Sequence, residues 1–164
     1  NKNKNQTMLI MAMEKLVAVN PYIHLLLPGK DSMNGFHSRL IKEKGLQNNI
    51  HLLGYRTDIP QLLMASDLSV SASYREGLPV HIMEAMTAGL PVITTECRGA
   101  SELVKNHENG YVVKINNVYD FSSAVKNIYD EEKRKEMAKN SKRRSVNYKL
   151  ATIKTILAKI YEER

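Results

Sequence analysis

Two glutamates, Glu76 and Glu84, are the strongest candidates for a binding or catalytic site. They flank the start of a predicted helix. A carboxylate accepts two hydrogen bonds side by side, which suits a vicinal diol, and a helix start favours an anion such as phosphate. Pro79 removes one helix donor, which leaves the amides of Val80, His81 and Ile82. The spacing predicts a diol-and-phosphate site or, equally well, one glutamate capping its helix and another on a solvated face.

The elements that would position these residues alternate between strand and helix. Strands are predicted over residues 22–27, 50–53, 68–72, 92–95 and 111–113, and helices over 35–44, 59–65, 79–88 and 100–104, with an earlier helix over about 8–17 and further helices after 118. Such alternation predicts an α/β domain with a parallel sheet and helices on both faces. Ligands of these sheets bind beyond the carboxyl ends of the strands, where Glu76 is expected.

The segment from Ser73 to Val104 resembles the signature of glycosyltransferase family 4. The pattern E-G-x-P-x4-E-A-x-A-x-G-x-P-V-I is matched at most positions, by Glu76, Gly77, Pro79, Glu84, Ala85, Gly89, Pro91, Val92 and Ile93. The chain continues with Arg98-Gly99-Ala100-Ser101-Glu102 and with Asn109-Gly110-Tyr111, as the family does. The resemblance implies the Rossmann-like, donor-binding C-terminal half of the two-domain B-type glycosyltransferase fold.

The same resemblance assigns roles to individual residues. Glu76 would contact the hydroxyls of the donor sugar, Glu84 the ribose hydroxyls, and Lys4 the diphosphate, so that Glu76 and Lys4 serve catalysis. Backbone amides of the donor loop would hold the sugar and the diphosphate, and Gly77 would let the backbone approach them closely. These amides belong to Leu78, Val80, His81 and Ile82. Gly54, Tyr55 and Arg56 would lie near the nucleobase. His81 is equally consistent with a direct sugar or phosphate contact and with a passive residue at the helix start.

Two parts of the family's enzyme have no counterpart in the 164 residues. The family's domain opens with a central strand just before Lys4, and its other half binds the acceptor. We therefore expect residues 1–164 to form one nucleotide-sugar-binding domain of a longer enzyme. On its own this domain is expected to be inactive.

The composition limits which binding partners and which cellular compartment are expected. A single cysteine, Cys97, excludes an internal disulfide framework and favours the cytoplasm, and no apolar run approaches the roughly 20 residues that span a bilayer. No cluster has metal-ligand spacing, so no metal or other cofactor is expected. The net charge of +7 comes largely from basic residues between 133 and 159. They form a solvated helix face or a patch for an anionic membrane, and aromatic content of 6% argues against nucleic acid.

The resulting hypothesis is transfer of a hexose-type sugar from a nucleotide diphosphate sugar to a hydroxyl, with retention, in polysaccharide or glycolipid synthesis. Two alternatives stay open. One is a sugar-nucleotide epimerase of the same fold, and the other is a nucleotide-sugar-binding module without catalysis.

Overall fold

The computed structural model describes residues 2–30, 32–148, 152 and 154. Five strands alternate with helices: β1 (Leu25–Pro28), β2 (Ile50–Gly54), β3 (Ser69–Ser71), β4 (Val92–Thr95) and β5 (Gly110–Val113). The α-helices are α1 (Gln6–Val17), α2 (Phe36–Glu43), α3 (Ile59–Met64), α4 (Val80–Thr87), α5 (Ala100–Leu103), α6 (Val118–Asn127) and α7 (Glu131–Ser145). Short 3₁₀ turns, Lys2–Lys4 and Val146–Tyr148, lie before α1 and after α7. The predicted α/β alternation is confirmed.

All strand pairs are parallel, but they form two sheets. β1 pairs with β2, and β3, β4 and β5 pair in that order. Val92 and Ile93 are adjacent on β4 and fully buried in different clusters, as expected when successive side chains point to opposite faces. The cluster around Ile93 includes residues of α1 and α6, and the cluster around Val92 includes residues of α4 and α5. Helices therefore cover both faces of the larger sheet.

The first predicted strand begins later than the sequence suggests. The pattern predicts a strand over residues 22–27, yet β1 starts at Leu25. The Asn49 side chain donates to the carbonyls of Pro21 and Ile23, each at 2.9 Å. Tyr22 is 86% exposed, and its amide donates to Asn20 Oδ1. These side-chain bonds hold the stretch as a turn, because they occupy backbone groups that a strand would use.

A cavity of about 870 Å³ separates the two sheets. Its edges are the strands β1 and β3, and its other walls come from α1, α3 and α6. The apolar side chains that line it include those of Leu9, Met13, Leu25, Leu62, Val70 and Phe121. The Tyr74 amide donates to the Asn3 carbonyl at 2.9 Å, so the start of the chain lies beyond the carboxyl end of β3. A strand joined to residue 2 and parallel to β3 would therefore enter this cavity.

Fusing an apolar β-strand directly ahead of residue 2 should raise the melting temperature by about 5 °C or more. Each side chain that becomes buried contributes roughly 1.5–3 kcal/mol before ordering costs, and 1 kcal/mol shifts Tm by about 2–4 °C at this size. Differential scanning calorimetry measures the change. The matched control carries two prolines in the fused strand, because proline cannot donate to a sheet ladder. Equal melting temperatures for the two fusions would contradict the prediction.

Candidate functional site

The loop that follows β3 is fastened to the beginning of the chain. Asn3 accepts from the Tyr74 amide and donates from its side chain to the Arg75 carbonyl, at 2.9 and 2.8 Å. Asn116 Oδ1 accepts from both the Tyr74 hydroxyl and the Asn5 side chain, each at 3.0 Å. Sequence reasoning did not find this role for Asn3, Tyr74 or Asn116, because their bonds join distant segments. The bonds position Lys4 over the loop.

Lys4 and Glu76 form an ion pair at the centre of the site. Lys4 Nζ donates to Glu76 Oε1 at 2.7 Å, and the Glu76 side chain is only 11% exposed while that of Lys4 is 43% exposed. Burial by itself would raise the pKa of Glu76, but its polar and charged neighbours, chiefly Lys4, outweigh burial and hold this pKa below its usual range. Glu76 is therefore ionised at neutral pH, with a cation in contact.

His81, on the first turn of α4, belongs to the same cluster. Its Nε2 lies 3.4 Å from the Ser71 hydroxyl, which lies 3.5 Å from the Ser73 hydroxyl. Burial and the positive charge of Lys4 lower the pKa of His81, and the negative charge of Glu76 opposes them only in part. The imidazole is therefore neutral near pH 7. The two serines were not among the residues picked out from the sequence.

The amides at the start of α4 require a correction to the sequence-based picture. The Val80 amide donates to the Leu78 carbonyl and the Ile82 amide to the Pro79 carbonyl, each at 2.9 Å. Among the backbone hydrogen bonds found for the described residues, none uses the amides of Gly77, Leu78 or His81. These three amides, rather than those of Val80 and Ile82, are ready to bind an anion. The Ile82 side chain is fully buried and contributes only packing.

Two glycine-containing loops touch at the site. A Cβ added to Gly99 would lie 2.2 Å from the Gly77 carbonyl oxygen and 3.1 Å from that of Glu76. Gly99 also has a φ of +83°, which side chains rarely adopt. A Cβ on Gly77, by contrast, would meet no described atom within 4 Å. The loop after β4 thus supports the loop after β3 at Gly77 and leaves the other side of Gly77 open.

Glu84 has a different environment from Glu76. It lies three residues after His81 on α4, and both side chains line the cavity between β1 and β3. Glu84 is exposed, and no side-chain hydrogen bond or ion pair to it is found among the described residues. The sequence spacing suggests that the two carboxylates act as a pair. In the structure Glu76 is ion-paired, whereas Glu84 is solvated.

The predicted nucleobase residues lie at the end of β2, in the smaller sheet. Gly54 has a φ of +65°, and its carbonyl accepts from the Gly29 amide at 2.7 Å. The Tyr55 ring is 72% exposed, with Lys30 Nζ 5.7 Å from its centroid. Arg56 forms an ion pair with Asp58, and this hydrogen bond lowers the pKa of the Asp58 carboxyl. An exposed aromatic ring with a cationic side chain nearby can stack with a flat ligand.

No described group of three or more histidine, cysteine, aspartate or glutamate side chains could hold a metal ion. Cys97 is buried and unpaired with another cysteine. Among the described helices, none has the length and apolar character to cross a bilayer. At the site, Lys4 and the free amides are groups that can neutralise a bound anion.

The free energy of unfolding should fall as the pH drops from 7 to 4, in two stages. The folded pKa of His81 lies below its ordinary value of 6.5, so the unfolded chain binds more protons and stability is lost as pH falls below that value. The folded pKa of Glu76 lies below 4.5, so its contribution is present above that pH and is lost as pH falls through the lowered pKa. Urea unfolding at several pH values measures both stages.

His81→Gln should reduce the first loss of unfolding free energy as the pH falls and leave the second loss unchanged. The chain contains five histidines, and the variant isolates the contribution of one of them. An unchanged first stage would show that His81 titrates alike in the folded and unfolded chain.

Comparisons with known proteins show that the chain is similar to glycosyltransferases. A family model described as "Glycosyl transferases group 1" matches residues 1–144. The putative glycosyltransferase EpsD of Bacillus subtilis is 33% identical over 129 residues, which are 79% of this chain and 34% of that protein. A UDP-Gal:alpha-D-GlcNAc-diphosphoundecaprenol alpha-1,3-galactosyltransferase of Escherichia coli is 33% identical over 125 residues, covering 76% of this chain and 32% of that enzyme.

A solved structure shows the same fold. HepE of Anabaena, crystallised with UDP, superposes with a TM-score of 0.91 and 27% identity over 100% of this chain and 46% of its own. The same protein has also been crystallised with UDP-glucose. The chain thus spans about a third of the length of these curated relatives and just under half of HepE.

Proposed function

The chain belongs to the group 1 glycosyl transferase family, and we propose that it is the C-terminal, donor-binding domain of a retaining glycosyltransferase. The enzyme transfers a hexose-type sugar from a nucleotide diphosphate sugar to a hydroxyl group of a polysaccharide or glycolipid acceptor. The observation that carries the proposal is the cluster of Lys4, Glu76 and His81 at the start of α4. It combines a cation, an ionised carboxylate and free amides, which are the groups that a sugar and its diphosphate require.

Each member of the cluster has a role in this proposal. Lys4 moves from Glu76 to the diphosphate and, with the free amides at α4, stabilises the charge that develops as the sugar leaves. Glu76 then accepts hydrogen bonds from sugar hydroxyls, which replace the bond it loses. Glu84 accepts from the ribose hydroxyls, and the backbone at Gly54 and Arg56 together with the Tyr55 ring contacts the nucleobase. The binding of UDP and of UDP-glucose by HepE supports a uridine nucleotide as donor.

The surroundings of the enzyme are part of the proposal. An acceptor domain of the same polypeptide would face the Lys4–Glu76 site, and the enzyme would work in the cytoplasm without a metal or nucleic acid. The E. coli relative acts, by its name, on a diphosphoundecaprenol-linked sugar. The exposed Lys139 and Lys142 of α7 could hold the domain near an anionic membrane face. Lys149 and Lys159, which belong to the same basic stretch, lie outside the described residues.

Calorimetry on a longer enzyme that carries this domain tests the proposal. We expect UDP or another nucleoside diphosphate to bind more tightly than the corresponding nucleoside, and a nucleotide sugar to be consumed when an acceptor is added. An epimerised nucleotide sugar with no released nucleoside diphosphate would favour the epimerase. Binding of a nucleotide sugar without any turnover would favour the binding module. Binding of a polyanion but of no nucleotide would overturn the assignment.

A further inference from the structure

Two asparagines in left-handed backbone conformations meet beside the Lys4–Glu76 pair. Asn5 has a φ of +46° and Asn116 a φ of +61°, values that residues with side chains rarely adopt. Asn5 Nδ2 donates to Asn116 Oδ1 at 3.0 Å, although 111 residues of sequence separate the two. Strained residues persist only where their surroundings fix them, and they cluster at functional sites. The contact therefore suggests a role at the neighbouring ion pair.

The side-chain oxygen of Asn116 uses its full hydrogen-bonding capacity. It has two lone pairs, and it accepts from the Asn5 amide group and from the Tyr74 hydroxyl, each at 3.0 Å. Asn5 directly follows Lys4, and Tyr74 lies two residues before Glu76. One oxygen atom thus joins the two segments that carry the members of the ion pair.

Asn116 itself lies between two anchored elements. It follows β5, and the next residue, Asn117, caps α6 by accepting from the Asp120 amide at 3.0 Å. Phe121 and Val125 of α6 are buried in the same core cluster as residues of α1. The oxygen that joins the two segments is therefore fixed relative to the helix that begins just after Lys4.

We propose that Asn116 is a positioning residue for Lys4: its two hydrogen bonds hold the Lys4 backbone where the ammonium group can pass from Glu76 to the diphosphate of a bound nucleotide. This assignment rests on the proposed function, in which Lys4 exchanges the carboxylate for the diphosphate. A side chain that changes partners is not held in place by either of them, and the long lysine stem has many rotamers. The reach of the ammonium group is therefore set by the backbone that carries it.

The residue type at both positions fits this role. Asparagine adopts left-handed backbone angles more readily than most residues and also has an amide group that can form hydrogen bonds. At Asn5 the left-handed turn separates the 3₁₀ turn that carries Lys4 from α1, so it sets the direction in which Lys4 projects. Glycine would allow the same turn, but it has no side chain to hold it and adopts many other conformations.

The first test uses the ligand-free chain and measures the contact between Lys4 and Glu76. ¹³C NMR follows the titration of the Glu76 carboxyl, whose signal is assigned by its loss in Glu76→Gln. Asn116→Gly allows the same φ and removes the acceptor oxygen, so Lys4 should spend less time at Glu76 and the measured pKa of Glu76 should rise. His81, a further titratable neighbour of Glu76, is the same in every variant compared. A pKa equal to that of the wild type would overturn the proposal.

A second background separates positioning of Lys4 from a general loosening of the fold. In Lys4→Met there is no ammonium group to position, so adding Asn116→Gly should cause no further rise in the pKa of Glu76. A further rise of the same size would show that Asn116 acts by another route, and the proposal would fail. Tyr74→Phe removes only the hydroxyl donor and should give a smaller rise in the Lys4 background, so it serves if Asn116→Gly does not fold.

Asn34→Gly is the matched control. Asn34 is exposed, as Asn116 is, and has a φ of +49°. Among the hydrogen bonds found for the described residues, none joins Asn34 to Asn5 or Tyr74. Its replacement should leave the pKa of Glu76 unchanged. If the two glycine variants raise this pKa alike, backbone freedom rather than the lost acceptor is responsible, and the proposal fails.

The ligand side is tested in a longer enzyme that carries this domain, by calorimetric titration with UDP. Asn116→Gly should weaken UDP binding by about 2- to 10-fold, the range for one hydrogen bond, and Asn34→Gly should leave it unchanged. Unchanged affinity in Asn116→Gly would overturn the link to the diphosphate, whatever the Glu76 titration shows. A wild type that binds neither UDP nor another nucleoside diphosphate would instead count against the proposed function.

Discussion

Replacing Gly99 with alanine should weaken nucleotide-sugar binding at least tenfold in an enzyme that carries this domain. The new Cβ would lie 2.2 Å from the Gly77 carbonyl oxygen, a distance that real Cβ atoms essentially never show. That oxygen belongs to the backbone, so the loop after β3 itself must move. A displacement of the loop by about 1 Å separates the Gly77, Leu78 and His81 amides from the diphosphate, and misplacement on this scale can cost about 100-fold in activity. Calorimetric titration with the nucleotide sugar measures the change.

Gly89→Ala is the control for this substitution. Gly89 has a φ of +81°, almost the same as the +83° of Gly99, but the nearest atom to its added Cβ would be 3.8 Å away. Both variants place a side chain at a positive φ, and only Gly99→Ala also brings the new Cβ into collision with the backbone of a neighbouring loop. Equal losses of binding in the two variants would show that the contact between Gly99 and Gly77 does not position the loop.

The parts of the fold that local signals specify could be predicted from the sequence. β4 was predicted at both of its ends, because its four buried residues follow a proline and make an unbroken apolar and β-branched run. α4 was predicted to within one residue, because Pro79 precedes its start and Gly89 follows its end. The family resemblance then placed Lys4 and Glu76 in one site. In the structure the two side chains are in contact at 2.7 Å, across 72 residues of sequence.

Features that depend on long-range contacts could not be predicted in the same way. The hydrogen bonds of the Val80 and Ile82 amides depend on the path of the loop through Leu78 and Pro79, which the helix pattern does not specify. Ser71 looks like an ordinary strand-end residue, and only the fold brings its hydroxyl to 3.4 Å from His81 Nε2. The five strands form two sheets because a cavity separates β1 from β3, and no local sequence pattern specifies that separation.

Glu76→Ala should weaken the binding of a nucleotide sugar without weakening that of UDP. The variant removes the acceptor for the sugar hydroxyls, so affinity for the nucleotide sugar should fall by about 1–3 kcal/mol, or about 5- to 150-fold. It also releases Lys4 from its 2.7 Å ion pair, so the cation no longer has to exchange a carboxylate for a phosphate. Affinity for UDP should therefore stay constant or rise. Parallel titrations with the two ligands measure both effects.

Lys4→Met provides the complementary variant, because it removes the cation and keeps an apolar side chain of similar length. It should weaken UDP and the nucleotide sugar together, since both carry the diphosphate. Burial would then act on Glu76 without Lys4 to oppose it, so the pKa of Glu76 should rise and sugar binding should become more sensitive to acid. Parallel losses for both ligands in Glu76→Ala would show that Glu76 acts by holding Lys4 in place. A loss for the nucleotide sugar alone would show that the carboxylate itself binds the transferred sugar, because UDP lacks that sugar.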